Sequence, residues 1–379
     1  MSAYRGFGAP FRYVQGPGAL KGLPGQAKAF GPNLLAVIDP FLFDGLSAEL
    51  EGHFAGSGLK AIFHKFGGEC SLAEIDNLIA RAGPIGPGAV CGLGGGKTLD
   101  AAKLTAHALQ KPVIICPTSA STDAPVSAMG VVYHPDGRHL RCQTLPHAPD
   151  LVLVDSALIA RAPLRLFVAG IGDALSTNFE AQANALSGTR NYVGPGYRPT
   201  LAGRAVAEAC HRAVLDRGLA AVADLAAGRL TEAVEDVIEA NILLSGLGFE
   251  NNGCAGAHAL HTGIHEIPGS SRLYHGEVVA FGILFQLALE RAQTATIDPI
   301  LDFMGRVGLP LTFADMGLHP SPENLSLISG RILDGNSGVE AEPFPVTKDS
   351  VHAALGQADR LGADFRRRHP DLPRALCQP

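Results

Sequence analysis

The chain has 379 residues and a formal net charge of -6, and hydrophobic residues make up 46% of it. This length is enough for about two domains. The composition excludes a disordered chain, which would carry fewer apolar residues and more net charge. No run of Lys or Arg forms a phosphate-tracking patch, so we expect no nucleic-acid partner.

The seven cysteines are odd in number, scattered, and nowhere arranged as a C-x-x-C pair. This pattern favours neither a disulfide framework nor a structural zinc cluster, and it is typical of a reducing compartment. The first residues lack the apolar core of a signal peptide, and no stretch of about 20 apolar residues could span a bilayer. We therefore expect a cytoplasmic protein without membrane contact.

The first part of the chain alternates short apolar runs with helical patterns. Strands are predicted at 34–39, 61–66, 89–93, 113–116 and 151–155, helices at 45–53, 72–82 and 98–109, and a hairpin at 131–133 and 138–143. Strands and helices that alternate at this interval indicate βαβ units with a parallel sheet. We assign residues 1–163 to a nucleotide-binding α/β domain.

After about residue 163 the apolar spacing becomes almost entirely helical. Long Ala/Leu-rich segments cover 164–185, 200–215, 231–246, 253–265, 275–291 and 348–367, with loops expected at 188–199 and 333–347. The predicted fold class is thus an α/β domain with a parallel sheet, followed by an all-α domain over residues 164–379.

A glycine-rich loop follows the third predicted strand and begins a helix. Gly94, Gly95 and Gly96 would let backbone amides approach a phosphate, with the positive end of the helix dipole and the charge of Lys97 nearby. The alternative is a plain strand-to-helix turn. The spacing is not that of a P-loop. The usual dinucleotide order, with an acidic residue at the end of the next strand, is also absent.

An acidic candidate lies upstream instead. Asp39 ends the first predicted strand, where a carboxylate can accept both ribose hydroxyls and repel a 2′-phosphate, which would favour NAD over NADP. From spacing alone, Asp39 is equally explained as the N-cap of the next helix.

A candidate metal site lies in the helical half. Asp173 falls inside an apolar helical stretch, where a carboxylate needs a partner. His258, His261 and His265 lie within two helical turns, and His275 begins the next helix. One Asp and two His leave a coordination position open, as in catalytic zinc sites, although these ligand types also suit Fe, Co and Ni. We interpret His261 as a neighbour of the ligands and His265 as structural.

Several separated motifs together resemble the glycerol dehydrogenase family of the iron-containing alcohol dehydrogenase-like superfamily. They are FGGECSLAEID at 66–76, GGGKTLDAAK at 94–103, PTSASTDAPVSAMGVVY at 117–133, GIGDALSTNFEAQA at 170–183 and HALHTG to YHGEVVAFG over 258–282. The resemblance covers nearly the whole chain. It implies a nucleotide-binding domain, a helical domain, and an active site in the cleft between them.

The resemblance also implies roles for individual residues. Asp173, His258 and His275 would bind the metal, and Asp123 would contact the substrate hydroxyl, although STDAP can also form a plain turn. The positions implied to contact NAD are Asp39, Gly94, Gly95, Gly96, Lys97, Thr118, Ser121, Ser127, Met129 and Tyr133. Iron-dependent relatives have a His four residues after the Asp, where this chain has Thr177, which favours Zn²⁺.

The implied activity is NAD-dependent oxidation of glycerol, or a related small vicinal diol, to dihydroxyacetone, by a homo-oligomer such as the octamers of this family. One rival is a lyase of the 3-dehydroquinate synthase type. Others are a dehydrogenase of glycerol 1-phosphate or of hydroxycarboxylates, and a non-catalytic binding protein. Phosphorylated or carboxylated substrates require several basic residues, and few occur around these motifs beyond Lys97 and Lys103.

Overall fold

The computed structural model describes residues 4–378, which divide into two units. The sheet unit is Gly8–Ala162, and the helical unit comprises residues 4–7 and 163–378. The sequence analysis placed residues 4–7 in the first domain. They instead pair with the helical unit, where the Gly6 N–H donates to the Arg198 carbonyl and the Asn191 side chain donates to the Gly6 carbonyl.

The sheet unit contains eight strands and five α-helices. The strands are β1 (Tyr13–Gly16), β2 (Asn33–Ile38), β3 (Lys60–Lys65), β4 (Ala89–Gly94), β5 (Val113–Pro117), β6 (Met129–Tyr133), β7 (His139–Thr144) and β8 (Leu151–Asp155). The helices are α1 (Leu23–Ala27), α2 (Phe43–Phe54), α3 (Leu72–Ala82), α4 (Gly96–Ala108) and α5 (Ser156–Ile159).

Six of these strands form one parallel sheet in the order β1-β8-β5-β4-β2-β3, and β6 pairs with β7 in a separate antiparallel hairpin. Strands β4, β5 and β8 are buried along their whole length, as expected for a parallel sheet covered on both faces. The predicted sheet is therefore confirmed. The carboxyl ends of the parallel strands all lie at one edge of the sheet. The glycine loop follows β4 at this edge.

The helical unit contains nine α-helices among the described residues. They are α6 (Leu164–Ser187), α7 (Leu201–Ala226), α8 (Glu232–Glu239), α9 (Ser245–Asn252), α10 (Gly256–Ile264), α11 (His275–Leu289), α12 (Thr294–Val307), α13 (Pro322–Ile332) and α14 (Lys348–Arg368). A π-helical segment, Ala240–Leu244, connects α8 to α9. Over residues 4–378, no helix combines the length and the apolar character needed to cross a membrane.

The sequence analysis did not predict several elements, among them the short helices α1 and α5, most of α9, and the three elements β1, α12 and α13. Strand β1 has only four half-buried residues, so it carries no apolar run, yet it pairs along β8. Helix α12 has a proline, Pro299, inside it, and α13 lies in a polar stretch that has few apolar positions. Each of the three is held by tertiary contacts rather than by a strong local pattern.

A buried ion pair holds α4 against the segment that leads into β6. Lys103 Nζ lies 2.8 Å from Asp100 Oδ1, and the Lys103 side chain is completely buried. The ammonium also donates to the carbonyls of Ala124 and Met129, while Asp100 Oδ2 accepts the Val131 N–H. The pair therefore ties both ends of the 124–131 segment to the helix that follows the glycine loop.

We expect Lys103→Met to destabilise the sheet unit by about 3–5 kcal/mol, because Asp100 would remain as an unpaired buried charge. The measurement is urea denaturation. The matched control is Arg138→Met, which removes an exposed ion pair with Asp136 on the hairpin and should leave stability nearly unchanged. Equal effects of the two substitutions would contradict the role given to the buried pair.

Candidate active site

Three helices of the helical unit bring Asp173, His258 and His275 together. Asp173 lies on α6, His258 on α10, and His275 is the first residue of α11. Asp173 Oδ1 lies 3.5 Å from His258 Nε2 and 3.2 Å from His275 Nε2, and the two Nε2 atoms are 3.3 Å apart. One oxygen and two nitrogens therefore face a common centre.

These separations fit a divalent cation. Two ligands bound at about 2.0–2.1 Å to a tetrahedral ion lie about 3.3–3.4 Å apart, close to all three observed distances. The donor set of one carboxylate and two imidazoles also leaves a coordination position for substrate. The chemistry and the spacing of these residues both suit a catalytic metal.

The charges around this centre favour a positive charge within it. Burial alone would raise the pKa of Asp173, but His275 and His258 outweigh it and hold that pKa well below its ordinary value. Burial alone would lower the pKa of His258, yet the surrounding Cys254, Glu180 and Asp173 raise it well above 6.5. Because Asp173 is fully buried, its charge requires a cationic partner.

Two glycines beside the ligands allow α6 and α11 to touch backbone to backbone. A Cβ added to Gly276 would lie 1.8 Å from the carbonyl oxygen of Ala169, and one added to Gly172 would lie 2.3 Å from the carbonyl oxygen of Gly276. Both glycines immediately adjoin ligands, since they neighbour His275 and Asp173 in sequence. Because neither glycine has a side chain, the two helices that carry Asp173 and His275 can lie this close together.

An ion pair fixes the start of α11 on α6. Arg165 donates from Nε and Nη2 to the two oxygens of Glu277, at 2.6 and 2.9 Å. Glu277 Oε2 also accepts the Tyr274 N–H as part of a capping box. Since His275 lies between these residues, its position is held by α6 on one side and by the cap on the other.

The backbone N–H groups at the buried N-terminus of α10 donate hydrogen bonds to side chains of three other segments. Glu180 Oε1 accepts the N–H groups of Ala255 and His258, Glu342 accepts that of Gly256, and Gln286 accepts that of Ala257. These are the amides that a helix leaves without intrahelical partners. Side chains from α6, from α11 and from the turn after Val339–Ala341 therefore seat the helix that carries His258.

Two further histidines continue from the centre toward the surface. His261 Nε2 lies 2.9 Å from His275 Nδ1, and His265 Nε2 lies 2.9 Å from His261 Nε2. His261 therefore contacts the candidate ligand His275, and His265 contacts His261 on the side nearer the surface. Neither contributes to the group formed by Asp173, His258 and His275.

The candidate cofactor residues of the sheet unit follow the carboxyl ends of β2, β4 and β5. Asp39 follows β2, where its carboxylate accepts the Phe41 N–H and the Thr98 hydroxyl. It does not cap a helix, because α2 begins at Phe43 with Leu42 as N-cap. Gly94 ends β4, Gly95 is the N-cap of α4, and Gly96 begins that helix.

Lys97 lies beside the glycine loop with a partner of its own. Its Nζ is 2.6 Å from Glu69 Oε2 and 4.8 Å from the centre of the Tyr133 ring. Tyr133 ends β6, and its N–H donates to the carbonyl of Cys70. The segments that carry Glu69, Lys97 and Tyr133 therefore meet at this point of the sheet unit.

The remaining candidates lie between β5 and β6. Thr118 pairs its N–H with the Gly94 carbonyl, and the Ser121 hydroxyl contacts that of Ser119. Asp123 is the buried N-cap of a 3-10 turn over Ala124–Val126, Ser127 donates its hydroxyl to the Ala124 carbonyl, and Met129 begins β6. This is the segment that Lys103 and Asp100 hold.

Glu180 is one of the residues of this region that the sequence analysis missed, and it lies nearest to the candidate ligands. It lies on α6 seven residues after Asp173, so both carboxylates fall on one face of the helix. Its Oε2 lies 2.6 Å from His258 Nδ1. A second acidic residue two turns after the first, in an otherwise apolar helix, is the signal that could have revealed it.

Comparisons with known proteins show which family the chain is similar to. Residues 10–156 match the family of iron-containing alcohol dehydrogenases. The chain is 42% identical to a glycerol dehydrogenase of Thermotoga maritima, over 93% of this chain and 96% of that protein, and 41% identical to one of Escherichia coli, over 94% and 97%. The crystal structure of a glycerol dehydrogenase from Schizosaccharomyces pombe matches with a TM-score of 0.95 and 33% identity, covering 100% of this chain and 96% of that one.

This chain belongs to the glycerol dehydrogenase family. The resemblance stated from the motifs and the predicted fold class are both confirmed. Thr177 lies four residues after Asp173, at the position for which the resemblance implied a His in iron-dependent relatives. Its buried hydroxyl lies 2.9 Å from that of Ser245.

We expect Gly276→Ala to destabilise the helical unit by about 3 kcal/mol or more, because the new methyl group would overlap the Ala169 carbonyl. Thermal and urea unfolding measure the effect. The matched control is Gly330→Ala on α13, where a Cβ meets no atom within 4 Å, and where alanine should stabilise by about 0.5–1 kcal/mol. A Gly276→Ala protein as stable as the control would contradict the close helix contact.

Glu342 provides a pH-dependent prediction. Burial, together with the nearby Glu290, raises its pKa from 4.5 to about 8. Between these values the unfolded chain has lost a proton that the folded chain keeps, so folding stability falls as pH rises. Glu342→Gln retains an oxygen for the Gly256 N–H and cannot ionise. We expect its melting temperature, relative to that of the wild type, to increase steadily from about pH 5 to about pH 8. Glu340→Gln, which changes an exposed carboxylate, is the control. If the melting temperatures of the wild type and of Glu342→Gln changed with pH by the same amount, this prediction would be refuted.

Proposed function

We propose that this protein oxidises glycerol, or a closely related small vicinal diol, to the corresponding hydroxyketone with NAD as the hydride acceptor. For glycerol the product is dihydroxyacetone. The observation that carries the proposal is the set of three ligand atoms of Asp173, His258 and His275, spaced for a divalent cation in a chain about 40% identical to glycerol dehydrogenases over its length.

We propose Zn²⁺ as the metal, held by Asp173, His258 and His275. Thr177 carries no imidazole and its hydroxyl is engaged with Ser245, which supports a three-ligand protein site. A bound divalent cation supplies Lewis acidity, which lowers the cost of removing the hydroxyl proton of an alcohol. Asp173 contributes the negative charge of the site, and the two imidazoles contribute neutral donors.

Other residues orient the reactants. In this proposal, Asp123 accepts a hydrogen bond from a substrate hydroxyl. The amides of Gly94, Gly95 and Gly96 and the charge of Lys97 bind the cofactor phosphates at the start of α4, and Thr118, Ser121, Ser127, Met129 and Tyr133 line the remainder of the NAD site. Asp39 binds the ribose hydroxyls through its carboxylate and selects NAD over NADP by repelling a 2′-phosphate.

We also propose that the protein acts in the cytoplasm as a homo-oligomer, as the resemblance to a family with octameric members implies. Light scattering coupled to size-exclusion chromatography measures the assembly state directly. A monomer at micromolar concentration would overturn this part of the proposal.

The proposed reaction is tested by NAD reduction with glycerol, 1,2-propanediol, 2,3-butanediol, glycerol phosphate and hydroxycarboxylates, before and after chelation and with Zn²⁺ added back. We expect free diols to react best, and activity to disappear on chelation and to return with Zn²⁺. Faster turnover of glycerol phosphate than of every free diol would defeat the substrate assignment. Activity that survives complete chelation would defeat the metal assignment.

Asp173→Asn should lower kcat/KM for glycerol by a factor on the order of 10³, because several kcal/mol of Lewis-acid assistance are lost with the cation. The matched control, Asp302→Asn, removes a half-exposed carboxylate on α12 and should leave kcat/KM unchanged. Steady-state kinetics together with the zinc content of both proteins provide the measurement. A zinc-free Asp173→Asn protein with wild-type kcat/KM would refute the role of this centre.

A further inference from the structure

The ring nitrogen of His258 that faces away from the metal centre has its own charged partner. His258 Nδ1 lies 2.6 Å from Glu180 Oε2, and the Glu180 side chain is almost fully buried on α6. The opposite ring atom, Nε2, faces Asp173 and His275. The imidazole therefore lies between a buried carboxylate on one side and the metal centre on the other.

The orientation of the Glu180 carboxylate is fixed by its other oxygen. Oε1 accepts the N–H groups of Ala255 and His258, at 2.8 and 2.9 Å. Backbone amides are only donors, so the atom at this position has to be an acceptor. Since Oε1 is held at the N-terminus of α10, Oε2 is held against the ring of His258.

An ionised carboxylate can only accept a hydrogen bond. Glu180 Oε2 therefore favours the form of His258 that carries hydrogen on Nδ1 and leaves the Nε2 lone pair available to a cation. Metal-binding histidines commonly have a carboxylate in this position, and it sets both the ring orientation and the basicity of the coordinating nitrogen.

We propose that Glu180 is a positioning residue, which selects the metal-binding form of His258 and couples it to the start of α10. The inference rests on the proposed metal site at Asp173, His258 and His275 and adds a residue outside that ligand set. The same carboxylate caps α10 through Oε1 and orients the His258 ring through Oε2. Glu180 therefore positions both the start of this helix and the side chain that the helix carries.

A different arrangement, in which Glu180 itself binds the ion, agrees less well with the distances. Glu180, Cys254 and His258 also form a group that could hold a metal. However, the 2.6 Å between Glu180 Oε2 and His258 Nδ1 is a hydrogen-bond distance, well below the roughly 3.3 Å between two ligands of a tetrahedral ion. The geometry therefore places a proton, rather than a cation, between these two atoms.

The substitution Glu180→Gln tests this inference with almost no change of shape. The Gln carbonyl oxygen has to face the two backbone N–H groups, so the amide NH₂ faces His258 Nδ1 and donates to it. His258 then carries hydrogen on Nε2, where the metal should bind. We expect the dissociation constant for Zn²⁺, measured by competition with a chromophoric chelator, to rise about 10–100-fold.

The matched control is Glu342→Gln, the same substitution in a carboxylate that caps the same helix through Gly256 but is not bonded to His258. It should bind Zn²⁺ within twofold of the wild type at pH 7. Visible absorption of the Co²⁺-loaded proteins gives a second readout, which we expect to match the wild type in Glu342→Gln and to change in Glu180→Gln. If Glu180→Gln does not fold, Glu180→Asp, whose carboxylate is withdrawn by one methylene group, should fold and still lose Zn²⁺ affinity.

The outcomes separate this inference from the proposed function. Wild-type affinity and an unchanged Co²⁺ spectrum in Glu180→Gln, with Zn²⁺ binding lost in Asp173→Asn, would overturn the role of Glu180 and leave the metal site standing. Equal Zn²⁺ binding by Asp173→Asn and wild type would overturn the metal site itself. A loss of affinity in Cys254→Ser as large as that in Glu180→Gln would place the ion at the alternative group and overturn the positioning role.

Discussion

The helical unit is organised around the negative charge of Asp173, whose side chain is completely buried in the protein interior. A carboxylate in this position is stable only beside positive charge or strong donors. A cation between Asp173 and the two imidazoles, which approach from α10 and α11, would meet this requirement. The glycines that adjoin Asp173 and His275, and the ion pair between Arg165 and Glu277, are consequences of bringing three helices this close to one atom.

The support of this centre reaches beyond its ligands through the N-terminus of α10. The amides at that helix end are satisfied by Glu180, Gln286 and Glu342, which belong to different segments. A buried helix end without such partners would be costly. His258 is therefore held both by its own helix and by the neighbours that cap the helix. The same hydrogen bonds stabilise the helix end and fix the position of this candidate ligand.

The sequence predicted the sheet and the ligands more completely than it predicted their supports. Continuous apolar runs locate β2, β4, β5 and β8, because strands buried on both faces carry that pattern. Strand β1 carries no such pattern, since its place depends on pairing with β8. Similarly, the histidine spacing and the motifs point to His258 and His275. Gly276 and Glu342 support the ligands through contacts between segments that are distant in sequence. No local sequence pattern predicts such contacts.

Thr177 has a consequence for how the metal centre of this chain can change over evolution. A Cβ added to Gly248 would lie 2.3 Å from the Thr177 methyl carbon, and the Thr177 hydroxyl pairs with that of Ser245. An imidazole at this position would have to displace packing on α9 as well as break that pair. A fourth protein ligand at this position would thus need accompanying substitutions on α9 as well as the change on α6.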